Sequence, residues 1–576
     1  MTKYRFKSKN LGTFLNVSMW KKFLCNLVST SLDGQQNESG RDKRPAERII
    51  WFIFRVVAVL CTIVFTFDTY MTSENGIVTS PEMDLYPTWQ IDFPAIAICN
   101  VNRISRKAAN HLAQELAEFE SVTYTANLTV QDLTRMLTLL GQLYLYEFRD
   151  AETILLHTIL ERACNSGYDV DRIMKHLAPK CRNMLWKCTW QGKEVVCDDI
   201  FVLRKTQDGY CCTFNYARRN DGFGSARIDV FASQYIEHMS NIGPEYGLSV
   251  LLDPELDDYF YKILPINGFK VLLYNPMSYP DVASGRVREV IVSPRIETYL
   301  KLDATLFYTT EDAQKHDIQE RDCLFQTEES RIFHGYYSFS DCIMYCRMQD
   351  ILRLCGCVPF FYPMTRDIAN ASTRACNLKD LFCLRKYKEK WQNVKPRVEN
   401  NMTPFNDSMF EGIGYLSCNC FPSCTDITYN VKSNSIPLSL SELYWGRSKY
   451  SLKNHSVLHI FFGKLGMIRL RQDVLYYWHD LMSIYVNIWN LFLGVSIINV
   501  IEMIYKYILF HSDATSQLTA RMIEEKVKKD KDAAQVIVIK PVAIPEITAR
   551  PAVIPEITQP LHWEELTGVL RRGQLF

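Results

Sequence analysis

The uncharged apolar run from Leu481 to Ile501 carries polar residues that a plain membrane anchor would not need: Ser483, Asn487, Asn490 and Gly494. Their steps of four, three and four place them along one face of a helix. Polar groups inside a membrane usually face a cavity or another helix. Such a stripe could line a water path, and Gly494 could let the backbone bend and offer carbonyls to a passing ion. A single helix cannot enclose that path, so the chemistry needs copies or partners around an axis. The same small and amide side chains would equally serve helix–helix packing. Gly494-Val495-Ser496 form a compact small-residue tract, and Glu502 stands just past the run. Plain helical phase places Glu502 off the stripe, and a break at Gly494 would reset that phase.

The second chemistry is that of cysteine. Seventeen of the 19 cysteines fall between Cys99 and Cys424, and none follows. That distribution indicates an oxidising surrounding for the middle of the chain alone. A cytosolic metal-binding region would need histidines at ligand spacing, and the 11 histidines are scattered. Cys342 and Cys346 sit four apart in a stretch that reads as helix, about 6 Å along its axis. Cys418 and Cys420 sit two apart in a segment that could be extended, spanning about 6.6 Å. The matching spacings allow two stacked disulfides between helix and strand. Antiparallel travel gives Cys342 with Cys420 and Cys346 with Cys418, although spacing alone does not fix the connectivity.

Both patterns depend on elements that place them at and beside a membrane. A first apolar run, Ile49 to Phe67, carries one charge, Arg55, which can snorkel to the headgroups. Each run is long enough to cross a bilayer. No apolar run lies near Met1, which argues against a cleaved signal peptide. Residues 1–48 carry ten Lys and Arg against four acids, and Lys506, Arg521, Lys526, Lys528, Lys529 and Lys531 follow the second run. Basic flanks stay inside, so both termini are expected in the cytoplasm. The sequons at Asn127, Asn370, Asn401, Asn406 and Asn454 fall in the segment between, as glycosylation outside the cell requires. Asn16 and Asn37 match the same pattern on the inner side.

The middle region mixes patterns and is expected to be α+β. Glu147 to Cys164 and Ser338 to Leu354 read as helical, and Arg286 to Thr310 as strand. Asp253, Glu255, Asp257 and Asp258 read as a solvated acidic turn. The tail repeats PVAIPEIT as PAVIPEIT, and its prolines oppose helix and central strand alike. The expected organisation is a cytoplasmic segment over 1–48, a span over 49–71 and an outer domain over 72–477. A second span over 478–508 and a largely disordered cytoplasmic tail over 509–576 follow. A net charge of +1 argues against a nucleic-acid partner. No Ser/His/Asp grouping, zinc spacing or phosphate loop suggests an enzyme or a cofactor.

Five motifs in order carry a resemblance. They are Phe93 to Asn100 (FPAIAICN), Gly209 to Asn215 (GYCCTFN), Gly268 to Pro280 (GFKVLLYNPMSYP), Cys418 to Cys424 (CNCFPSC) and Gly494-Val495-Ser496. Set between two apolar runs, they resemble the degenerin/epithelial sodium channel family, most closely its insect pickpocket branch, over roughly residues 25–508.

The resemblance implies a plasma-membrane trimer, homomeric or with related subunits, having finger, thumb and palm regions outside and six spans around one pore. It implies a sodium-permeable, amiloride-sensitive type of channel gated by a ligand, acid or force, with a sensory role expected. Its partners would be sodium ions, membrane lipid and related subunits, with the extracellular ligand unspecified. Gly494, Val495 and Ser496 would line the selective stretch, and Ser483 matches the position where bulky residues hold degenerins open. Implied disulfides join Cys99 to Cys211, Cys188 to Cys197, Cys323 to Cys424, Cys355 to Cys383 and Cys357 to Cys376, and the two ladder pairs belong to the same pattern. Cys164, Cys181 and Cys212 are left, of which two could pair.

Two departures bear on gating. The family's cytoplasmic His-Gly motif is here Asp33-Gly34, a fixed charge in place of a titratable ring. Glycines usual before the G-x-S tract are replaced by Val486, Asn487 and Asn490, which add bulk. These replacements favour the alternative of a regulatory subunit that needs a partner to form a pore, whereas the intact G-x-S tract opposes it.

Overall fold

In the computed structural model, the first apolar run lies in helix α1, Pro45–Glu74, which extends past both ends of the expected span. The structure describes residues 45–74, 76–118, 128–147, 150–164, 167–218, 236–326, 328, 337–363, 373–395, 414–438, 454–494 and parts of 501–528. Within α1, Phe52–Ser73 is the one stretch among the described residues long and apolar enough to cross a bilayer. Large apolar side chains, Ile50, Phe54, Ile63 and Phe67 among them, are exposed around it. A helix apolar on all sides suits lipid rather than water. Its threonines leave no hydroxyl wanting: Thr62, Thr69 and Thr72 donate to the carbonyls of Ala58, Phe65 and Asp68.

The chain divides into two compact units, Met1–Thr62 with Ile484–Phe576, and Ile63–Ser483. The second unit is built on two sheets. A nine-stranded sheet runs β1 (Ile77–Pro81), β13 (Gly466–Val474), β10 (Ile296–Thr309), β12 (Ser456–Phe462), β7 (Leu248–Leu252), β3 (Leu185–Trp190), β4 (Lys193–Val195). Strand β11 (Thr425–Pro437) pairs with the other edge of β10, and Tyr86–Pro87 joins β13. The organising strand is β10: its first half lies parallel to β12 and its second half parallel to β13. The five-stranded sheet runs β9 (Arg288–Val292), β8 (Phe269–Tyr274), β2 (Ala95–Asn100), β6 (Gly209–Phe214), β5 (Phe201–Thr206).

The two sheets share one apolar core, Ile96, Phe214 and Val271 from one meeting Leu248, Leu300 and Leu458 from the other. Alternation along each strand provides that inner face. Phe93 anchors it edge-on, with ring centroids 4.8 Å from Trp190 and 5.7 Å from Phe462. A separate core gathers the helices, among them α2 (Asp150–Ala163), α4 (Phe339–Cys355) and α5 (Leu381–Gln392).

Eight disulfides join the described cysteines. Seven unite pairs named in the sequence reading: Cys99–Cys211, Cys188–Cys197, Cys323–Cys424, Cys342–Cys420, Cys346–Cys418, Cys355–Cys383 and Cys357–Cys376. The eighth, Cys181–Cys212, unites two that the sequence left open, while Cys164 is an exposed thiol. Neighbours on β6, Cys211 and Cys212 point to opposite faces. Cys211 is tied to Cys99 on the adjacent strand, and Cys212 to Cys181 in the opposite core.

Helix α4 starts at Ser338, whose hydroxyl accepts from the Asp341 amide at 3.1 Å, and stops at Gly356, φ +67°. The ladder partners differ from a regular strand: only Leu416–Ser417 pairs, and Cys418 and Cys420 lie just beyond it. The acidic turn also differs from expectation. Asp258 is 4% exposed, and its carboxylate accepts from the Lys107 amide at 2.8 Å while its carbonyl accepts from Asn102. A contact between residues 151 apart overrides the local reading of a charged cluster.

Candidate functional site

The polar stripe lies on helix α6, Trp478–Leu493. Asp480 starts it, its carboxylate accepting from the Tyr477 amide at 3.2 Å, in the first turn where a negative charge suits the helix dipole. The helix stops inside the stripe. Gly494 takes φ +65°, a left-handed conformation that side chains rarely adopt, and its amide donates to the Asn490 carbonyl at 3.0 Å. Ser483, Asn487, Asn490 and Gly494 are all exposed in the single chain, whereas Ile484, Tyr485, Val486 and Ile488 are half-buried. The Ser483 hydroxyl donates to the His479 carbonyl at 2.9 Å.

Val495, Ser496, Glu502, Asp33 and Gly34 lie outside the described residues, as do Asn127, Asn370, Asn401 and Asn406. Asn454 is half-buried, two residues ahead of β12.

Strand β13 leads into α6 through a cluster that the sequence reading did not single out. Asp473 is 9% exposed. Its carboxylate accepts from Thr310 Oγ1 at 2.7 Å, Tyr477 OH at 2.9 Å, its neighbour's amide at Val474, and the Arg471 guanidinium. Burial raises the Asp473 carboxyl, but the bonds from Thr310 and Tyr477 and the other donors outweigh it and hold the group below its usual value. Gln472 accepts from Thr309 Oγ1 at 2.6 Å and donates to the Arg321 carbonyl at 2.9 Å. Thr309 Oγ1 also lies 3.1 Å from the Cys424 carbonyl, beside the Cys323–Cys424 disulfide. The sequence signal was slight: an Arg-Gln-Asp run at the end of a strand, just ahead of an apolar helix.

The disulfide-bonded arm from Cys323 to Cys424 is also fixed by buried charge. Arg347 on α4 reaches Asp281 at 3.1 Å and the Trp391 carbonyl at 3.0 Å. Burial opposes its charge, but Tyr362 and Asp281 outweigh that and hold the guanidinium ionised. Arg218 pairs with Asp341, which also accepts from the Tyr279 amide at 3.0 Å. Cys357, Cys376 and Asp380 lie close enough to suggest a metal cluster. The two sulfurs are joined to each other, and Asp380 is bidentate to Arg374 at 2.6 and 2.7 Å, so the group is structural.

The motif segments hold one another. Asn215, closing GYCCTFN, adopts φ +55°, donates to the Phe93 carbonyl at 2.5 Å and accepts from the Glu237 amide at 2.9 Å. Gly268, φ +120°, packs so close to β9 that a Cβ would lie 2.1 Å from the Val292 carbonyl oxygen.

Residues 27–506 match the family model described as amiloride-sensitive sodium channel. Sodium channel protein Nach of Drosophila melanogaster is 24% identical over 507 residues, covering 85% of this chain and 86% of that protein. Pickpocket protein 28 of Drosophila melanogaster is 22% identical over 555 residues, covering 87% and 79%. Epithelial sodium channel subunit gamma of Oryctolagus cuniculus is 23% identical over 216 residues, covering 37% of this chain and 28% of that subunit. The match to the family model spans both apolar runs and every motif between them, and the chain belongs to the amiloride-sensitive sodium channel family, in its insect pickpocket-like branch.

Proposed function

We propose that the chain is a pore-lining subunit of a trimeric, sodium-permeable channel of the plasma membrane, gated by an extracellular stimulus in a sensory setting. The observation that carries this reading is the exposed polar stripe on α6, ending at a left-handed Gly494. In water that stripe needs no explanation; at the end of an apolar helix it fits a path for ions. In this reading residues 478–508 form the second span, and both termini lie in the cytoplasm. Residues 72–477 stand outside as finger, palm and thumb, with glycans at Asn127, Asn370, Asn401, Asn406 and Asn454. Gly494, Val495 and Ser496 form the narrow stretch, Glu502 lies at its inner end, and Asp33-Gly34 replaces a gating motif. Ser483, Asn487 and Asn490 face the axis, and a bulkier residue at 483 keeps the path open.

A specific observation supports a second reading, a regulatory subunit that conducts only beside a partner. Val486, Asn487 and Asn490 replace glycines usual in the family, adding side-chain volume beside the axis. One recording separates the two. Ser483→Val, expressed alone in oocytes in a sodium bath, is expected to carry an amiloride-blocked inward current many times that of uninjected cells. Silence with surface protein present selects the regulatory reading.

A further inference from the structure

Three paths converge just ahead of α6. Strand β1, which follows α1, pairs antiparallel with β13, Val78 opposite Asp473, and the Leu475 amide donates to the Gly76 carbonyl at 2.5 Å. The short helix α3, Glu311–Gln314, is capped by Thr310, which follows β10 and leads to the disulfide-bonded arm at Cys323. Tyr477 immediately precedes α6, its carbonyl accepting from the Leu481 amide at 3.1 Å. Thr310 and Tyr477 each donate a hydroxyl to Asp473, to its Oδ1 and Oδ2 respectively. One carboxylate therefore bridges the base of the arm and the first turn of the helix.

We propose that Asp473 is a positioning residue for gating: it couples movement of the arm at Thr310 to the first turn of α6 at Tyr477. This rests on the channel reading above. Three features fit the role. The bridge is short and charge-assisted, so it transmits displacement instead of absorbing it. Its two donors occupy different oxygens of one planar group, so neither can shift without turning the other. Around it Gln472 holds the approach to the arm to β13 separately: its side chain accepts from Thr309 Oγ1 and donates to the Arg321 carbonyl, and its own carbonyl accepts from the Thr310 amide. Loss of Asp473 would therefore uncouple the helix without detaching the arm.

The test uses the full chain in the Ser483→Val background, read as single-channel open probability with surface protein measured in parallel. Asp473→Asn and Thr310→Val should each shift the open–closed equilibrium about tenfold, the size expected for losing a hydrogen bond to a charged acceptor. The double variant should match the larger single shift, because both changes break one link. Asp473→Glu, which keeps the acceptor, should recover most of the wild-type equilibrium. Additive shifts, or none in channels that conduct, overturn the proposal. If the Ser483→Val parent is silent at the surface, the reading of a subunit that conducts alone fails by itself. The link is then read by hydrogen exchange of the purified chain at residues 476–482. Equal loss of protection in both single variants and the double supports it, and unchanged protection overturns it.

Discussion

From Cys323 to Cys424 the chain holds ten cysteines in five disulfides, whereas from Thr425 onward it holds none. The two stretches are held by different means. The arm is closed by covalent bonds and by buried ion pairs on α4. The strand that enters α6 is held without disulfides, by its ladders with β1 and β10 and by the hydrogen bonds of Gln472 and Asp473. A disulfide keeps its partners together on any timescale of gating, while a hydrogen bond can exchange within microseconds. The difference teaches where a molecule of this kind is stiffest: on the channel reading the arm would move as a body, with the joint at its base.

Three measurements can break or sharpen that contrast. The largest effect is expected from Arg347→Met, which leaves Asp281, 0% exposed, without its cation. Removing one partner of a buried pair costs about 3–5 kcal/mol. Denaturant unfolding of the purified chain should show this loss; a change under ~1 kcal/mol would assign the arm's rigidity to its disulfides alone. Next is the paired change Cys346→Ser with Cys418→Ser, which removes one rung. The loop it closes spans 72 residues. The expected loss is about 3 kcal/mol, and the open–closed equilibrium should blur as the arm loses stiffness. An intact equilibrium in this variant would show that the remaining rung suffices.

The smallest effect is a pH slope confined to the sheet. His455, 4% exposed, sits 3.6 Å from Asp253 and edge-on to Trp186. Burial lowers its pKa more than Asp253 raises it, and His459 is lowered by burial as well, against the opposing effect of Glu297. A histidine lowered on folding stabilises fully above the unfolded value of about 6.5 and progressively less as pH falls through it. Asp473 is a lowered carboxyl, so its contribution persists until pH falls below about 4. Thermal unfolding at pH 5.5 should therefore begin earlier than at pH 7.5. His455→Asn should flatten the difference, and an unchanged slope would place the acid sensitivity elsewhere.

What the sequence shows of this fold follows range. The apolar run of α1 and the four-residue spacing of Cys342 and Cys346 are local periodicities, and the structure places both on helices. The strand patterns near Arg286 to Thr310 resolve into β9 and β10 for the same reason. Asp258 and Asp473 could not be read in this way. Asp258 meets Lys107 from 151 positions away, and Asp473, whose donors Arg471, Val474 and Tyr477 are local, meets Thr310 from 163 positions away; no window on the sequence contains either distant partner. Pairing of Cys181 with Cys212 lay between the two extremes: the pairs implied by the resemblance left three candidates, and only the packing of β6 against the helix at Cys181–Met184 selects two. The stripe on α6 was legible as a pattern because its steps of four, three and four are local.

The adjacent bridges on β6 carry a consequence for biosynthesis. Cys99 and Cys181 leave the ribosome before Cys211 and Cys212, so two earlier thiols await two neighbours that differ by one position. Joined the other way, the strand would have to turn over, sending Thr213 and Phe214 to each other's side of the sheet. The doublet thus ties disulfide pairing to strand register: both bridges close together only when β6 is not inverted.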